Sequence, residues 1–145
     1  MPTRNPDRSG AGHRTAPHTA DVIIEAWAPT RERCLVEAVA ALTEGCADTS
    51  HAVPTGKHAF RLAAGSDAQA LVALLEEVLY VLDAHGQVPV TTRLTVDESG
   101  LSGWFDVVDV SAVPTIGSAP KGIALSELAF DDVDGGWRCT VTVDV

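Results

Sequence analysis

The stretch from Ser66 to Gly86 carries every signal of one amphipathic helix. Ser66 and Gln69 have the S-x-x-Q spacing of a capping box, which satisfies backbone N–H groups that a first helical turn leaves open. Behind them, Leu71, Leu74, Leu75, Val78, Leu79 and Leu82 recur at helical spacing and form one apolar stripe, and Gly86 is placed to stop the helix after His85. Such a stripe needs an apolar surface to cover it. The far end of the chain offers one. From Trp137 to Val145, apolar Trp137, Cys139, Val141, Val143 and Val145 alternate with Arg138, Thr140, Thr142 and Asp144. That is the period of a strand with one buried face, and it turns Asp144 away from the core.

The remaining elements follow from similar patterns. "DVIIEAW" (21–27) reads as a strand ended by Pro29, with Ile23 and Ile24 both apolar. Thr30 is a suitable N-cap for a helix whose Cys34, Leu35, Ala38, Val39 and Leu42 share one face, with Gly45 at its end. "GKHAFRLAA" (56–64), "VPVTTRLTV" (88–96), "LSGWFDVVDV" (101–110) and "KGIALSELAF" (121–130) read as strands. "DESG" and "DDVDGG" read as turns, and "SAVPTIGSAP" (111–120) as a loop. Two helices packed on a mostly antiparallel β-sheet, with the last strands joined as hairpins, predict an α+β fold in a single domain over residues 16–145. Residues 1–15, polar and rich in Pro, Gly and Arg, are expected to form a flexible lead-in.

Composition narrows the function. The 145 residues are 46% hydrophobic, enough for a sizeable core, and carry a formal net charge of -10. Such an excess repels phosphate backbones, so no direct nucleic-acid binding is expected, whereas a basic protein partner would be attracted. An acidic surface is equally ordinary in a soluble protein. The three cysteines, Cys34, Cys46 and Cys139, show no C-x-x-C spacing and read as buried, reduced thiols, which suits the cytoplasm. No apolar run approaches the ~20 residues of a membrane span, and the N-terminal segment has no apolar signal-peptide core.

Most motifs with catalytic or ligand-binding chemistry are absent. "GSAPKG" (117–122) lacks the order of a phosphate-binding loop, and "DDVDGG" lacks the ligand spacing of a calcium loop. There is no H-E-x-x-H, G-x-S-x-G or paired-cysteine zinc pattern, so no catalytic residue is assigned and the chain is not expected to be an enzyme. His13 and His18 have no partners evident in sequence, and an exposed or capping role is the default for each. What remains is "HTAD" at 18–21, Lys121 after a Gly/Pro loop, and the closing "DV". By spacing alone each is ordinary: a turn acid, a solvated lysine, an exposed terminal acid.

Taken in order, these pieces resemble the archease family. The resemblance runs from about Pro17 to Val145 and rests on "HTAD", on the leucine-rich "ALVALLEEVLYVLD" (70–83), on the lysine before "GIALSELAF", and on the closing "W…VDV". The chain departs from the family pattern at Ala73 and Leu74, where an acid and a tryptophan are usual. It departs again after Lys121, where Gly122 to Ser126 replace a segment ending in an aromatic and a histidine. The resemblance implies a chaperone-like, non-catalytic cofactor of an RtcB-type RNA-splicing ligase, active in tRNA splicing and RNA repair. It would promote the ligase's metal-dependent guanylylation and its multiple turnover. Carried over by position, Asp21 and Asp144 would be metal ligands with the Val145 carboxylate nearby, His18 would support them, and Lys121 would act in partner activation. Carboxylate oxygens suit a hard divalent cation, Ca²⁺ first, with Mg²⁺ or Mn²⁺ as alternatives. Two other readings stand beside this one. The chain could be a divergent interaction domain with another client and no metal. Less favoured is a metal-dependent hydrolase, which would need a general base and an enclosed pocket.

Overall fold

The computed structural model describes residues 10–18 and 21–145. Among them the elements follow in the order β1 (Gly12–His18), β2 (Asp21–Ala28), α1 (Arg31–Glu44), β3 (Gly56–Ala63), α2 (Asp67–His85), β4 (Gln87–Asp97), β5 (Gly100–Asp109), β6 (Gly122–Val133) and β7 (Gly136–Asp144), with a single 3₁₀ turn at Val110–Ala112. All strand pairs are antiparallel, in a four-stranded sheet of order β1-β2-β7-β6 and a three-stranded sheet of order β3-β5-β4. Both helices touch both sheets: α1 packs on β2 and β4, and α2 on β6, β3 and β4. The core therefore forms where helices meet the inner sheet faces, and each sheet keeps an outer face turned away from them.

The helices are bounded as their sequences dictate. Thr30 accepts a hydrogen bond from the Arg33 N–H at 3.2 Å, and Ser66 accepts one from the Gln69 N–H at 3.2 Å. The Gln69 side chain reaches back to the N–H of Gly65 at 2.7 Å, one residue beyond a standard box. Leu71, Leu74, Leu75 and Val78 of the α2 stripe are fully buried, together with Ile24, Phe105 and Val141 from the strands. Cys34, Cys46 and Cys139 are free and buried. Burial pushes the Cys46 thiol pKa up, and a hydrogen bond with Cys34 together with burial pushes up that of Cys139.

Three expectations need correction. Residues 12–15, read as lead-in, belong to edge strand β1, which pairs with β2 from Gly12↔Trp27 to His18↔Asp21. "GHRTAPH" has no apolar alternation because backbone pairing and polar ties, rather than burial of alternate side chains, hold it. Residues 1–9 lie outside the described ones. The last four strands are joined as hairpins, as expected, but the expected single sheet is two: β4–β5 and β6–β7 lie in different sheets, with β7 pairing β2 on its other side. Finally, β6 runs on to Val133, so the turn shrinks to Asp134 and Gly135. Inside β6 the register jumps between Ala124 and Ala129 against β7, so the chain from Leu125 to Leu128 bulges outward. Leu125 is 70% exposed there, and Glu127 holds a left-handed φ of 62°.

Candidate functional site

One transverse row of the four-stranded sheet collects the residues singled out from sequence. β2 pairs with β7 so that Asp21 lies directly opposite Asp144. On one side of this pair the backbone of His18 is opposite Asp21, and on the other Gly122 is opposite Asp144. Directly opposed residues on neighbouring strands hold their Cβ atoms ~4.5–5.5 Å apart, within reach of one shared cation. Strand alternation puts Asp144 on the outer face while Val143 and Val141 are buried. A side chain at Gly122 would place its Cβ 3.7 Å from Asp144 Oδ2, so the carboxylate leans over that glycine.

Lys121 joins the row through its backbone. Its N–H donates to the Asp144 carbonyl at 2.7 Å. The loop that delivers it is pinned to the end of α1: the Ile116 N–H donates to Cys46 O at 3.0 Å, and the Asp48 N–H donates to Pro114 O at 2.9 Å. Gly117 crosses this junction with φ +61°, and a Cβ there would meet Gly45 O at 2.5 Å, so the crossing needs glycine. The Lys121 side chain is exposed, and among the described residues its ammonium forms no ion pair. It borders a cleft of about 880 Å³ whose other lining includes Glu76, Tyr80 and Asp83 of α2 and half-buried Val145.

Among the described residues no group of three or more His, Cys, Asp or Glu side chains is placed to hold one metal ion. The donor set at the row is therefore two carboxylates, those of half-buried Asp21 and exposed Asp144. That suits a hard cation that keeps part of its water shell, since Mg²⁺ is commonly held by one or two carboxylates and Ca²⁺ accepts waters among its ligands.

Over residues 13–145 the chain matches the model of the Archease protein family. The chain belongs to the archease family. It is 45% identical over 139 residues to a Mycobacterium tuberculosis protein named a probable archease, a match covering 94% of this chain and 76% of that relative, and the same holds in two strains. A solution structure of a Methanobacterium thermoautotrophicum protein superposes with a TM-score of 0.74 at 18% identity, covering 92% of this chain and 99% of the other. A Thermotoga maritima crystal structure, described as an archease and possible chaperone, gives a TM-score of 0.64 at 17% identity, covering 100% and 99%. At these identities the two structures show that the archease fold is shared.

Two histidine sites on this archease fold escaped the sequence. His13 Nδ1 lies 2.6 Å from Glu37 Oε1 and its Nε2 lies 2.7 Å from Glu44 Oε1, tying β1 to α1. Burial works against a charged imidazole here, but hydrogen bonds and charge from Glu44 and Glu37 outweigh it, and the pKa is raised above its usual value. His58 Nε2 lies 2.6 Å from Glu77 Oε2, and its ring stacks on Phe105. The partners are distant in sequence, so no local spacing betrays either pair. Among the described residues no helix is long and apolar enough to cross a membrane.

Proposed function

We propose that this protein is a non-catalytic activator of an RtcB-type RNA-splicing ligase, serving tRNA splicing and RNA repair in the cytoplasm. One observation carries the reading: Asp21 and Asp144 are directly opposed on adjacent strands, with Lys121 hydrogen-bonded to the same residue. In this reading the two carboxylates hold a divalent cation, Ca²⁺, Mg²⁺ or Mn²⁺, which when bound supplies the positive charge that offsets their repulsion. Val145 and His18, next to them in chain and register, flank that end of the row. The Lys121 backbone is fixed by Asp144 while its ammonium stays exposed, which suits a side chain offered to a partner. The row lies on an open sheet face rather than in an enclosed pocket, which favours a helper over a hydrolase. The net charge of -10 favours a basic docking face on the ligase and fast, salt-sensitive association.

The test is a guanylylation assay on a purified ligase of this type. Wild-type protein should accelerate the reaction. Lys121→Ala should abolish the effect while changing stability by no more than ~0.5 kcal/mol, as expected for an exposed lysine. Separately, added Ca²⁺ or Mg²⁺ should raise the melting temperature of the wild type by binding linkage, and Asp144→Asn should remove that rise. No acceleration by the wild type would refute the ligase role. A divalent response that survives in Asp144→Asn would refute the metal site alone.

A further inference from the structure

The net charge of -10 is unevenly spread. On the three-stranded sheet, His58, Phe60, Leu101, Phe105 and Leu94 turn toward the core. The alternate positions form the outer face: Lys57, Ala59 and Arg61 on β3, Ser102, Trp104 and Asp106 on β5, and Thr91, Arg93 and Thr95 on β4. Asp97, at the end of β4, shares their outward parity, so three cations and two acids share this face. Trp104 sits at the centre of this face, on the central strand, in one row with Ala59 and Arg93. The Lys57 ammonium stands 4.4 Å from the centre of its ring and 4.0 Å from Asp106. The Trp104 Nε1 is buried with no hydrogen-bond partner among the described residues.

Two hollows extend this face. One of about 500 Å³ is lined by Glu32, Arg33, Arg93, Thr95, Ser102 and Trp104. Another of about 380 Å³ is lined by Arg61, Asp97, Ser99 and Ser102. Ser102 borders both, and Trp104 the first.

We propose that the outer face of the three-stranded sheet binds single-stranded RNA, with a base stacked on Trp104 and phosphates against Arg93 and Arg61. The physical grounds are an aromatic ring at the centre of an open sheet face with Lys57, Arg61 and Arg93 around it, groups that can stack an unpaired base and meet its phosphates. Lys57 already makes a cation–π contact with the ring. Its side chain is 66% exposed, so a base can displace it toward the phosphates. Thr95 and Ser102 line the same hollow as Trp104 and can hydrogen-bond a ribose hydroxyl. A duplex cannot use the platform because its bases are already stacked. An acidic peptide would satisfy the arginines but has no π-face for Trp104. This inference is independent of the ligase reading, since the Asp21–Asp144 row lies on the other sheet.

The test is fluorescence anisotropy of a short labelled oligouridine titrated with the full chain at low salt. Binding should weaken as salt rises. Trp104→Ala should weaken it by about fivefold to a hundredfold, the range for losing one base stack, whereas Trp104→Phe should keep most of it. Arg61→Gln and Arg93→Gln should each make the log–log salt dependence shallower by about 0.7 with unchanged melting, which keeps the test valid if Trp104→Ala folds poorly. Three results would overturn the inference: no binding at low salt, folded Trp104→Ala or arginine variants that bind like wild type, or a polyglutamate peptide that competes as well as unlabelled RNA.

Discussion

His13→Ala should destabilise the protein in a pH-dependent way. Each ring nitrogen of His13 faces a carboxylate oxygen, Glu37 at 2.6 Å and Glu44 at 2.7 Å. An ionised carboxylate only accepts hydrogen bonds, so both contacts are satisfied together only when both nitrogens carry protons, that is, by the cation. The Glu37 side chain is 13% exposed, and a hydrogen bond to such a charged group contributes ~1.5–3 kcal/mol. Arg33 Nε also donates to Glu37, at 3.3 Å, so losing His13 does not orphan that acid and the low end applies. Glu44 is 57% exposed and adds no more than ~0.5 kcal/mol. The total is about 1.5–2 kcal/mol, or roughly 4–6 °C of melting temperature for a chain of this size. Because the folded pKa is raised, the contribution is fully present below the unfolded value of about 6.5 and is lost as pH rises through the folded value. Thermal melts of wild type and variant near pH 6 and near pH 9 should show the larger gap at the lower pH. Hydrogen exchange should show β1 amides opening faster in the variant. Equal gaps at both pH values, or a gap under ~0.5 kcal/mol near pH 6, would refute the clamp.

Three more predictions follow from the fold. Removing residues 1–15 should lower the melting temperature, because it takes most of β1 and His13 with it; unchanged melting would mean that the edge strand contributes nothing. Gly103→Ala should destabilise by roughly 3 kcal/mol or more, since a Cβ at Gly103 would lie 1.9 Å from Arg93 O across the β4–β5 ladder, and chemical denaturation measures this directly. Cys34, Cys46 and Cys139 should not react with a thiol reagent at pH 8 until the chain unfolds, because all are buried and the Cys46 and Cys139 thiols are shifted up; rapid native labelling would contradict their placement.

Legibility in the sequence followed how local each physical cause was. The caps and stripe of α2 lie within one segment, so a helix running from behind Ser66 to about His85 could be read there, and it spans Asp67 to His85. The alternation of β7 is equally local and placed Asp144 on the outer face. Nothing local says that β7 lies between β2 and β6, so the Asp21–Asp144 pairing was suggested by family resemblance rather than by spacing. The strand β1 was invisible for the same reason. Its ties to Glu37 and Glu44 span 24 and 31 positions and leave no pattern in "GHRTAPH".

The two sheets also explain where exposed chemistry can lie on this fold. Each buries one face under the helices, so the residues that its strands can offer a partner are confined to the alternate, outward positions. On the four-stranded sheet those positions hold Asp21 and Asp144, and on the three-stranded sheet Arg61, Arg93 and Trp104. The same alternation that specifies the core thereby fixes which side chains each sheet can offer to a partner. Trp104 stands out among those side chains. Its strand neighbours at the same outward parity are Ser102 and Asp106, and its own core-facing neighbour Phe105 already fills the aromatic slot. A half-buried ring on an outward position, with Lys57 against its face, is the group that the proposed RNA contact would use.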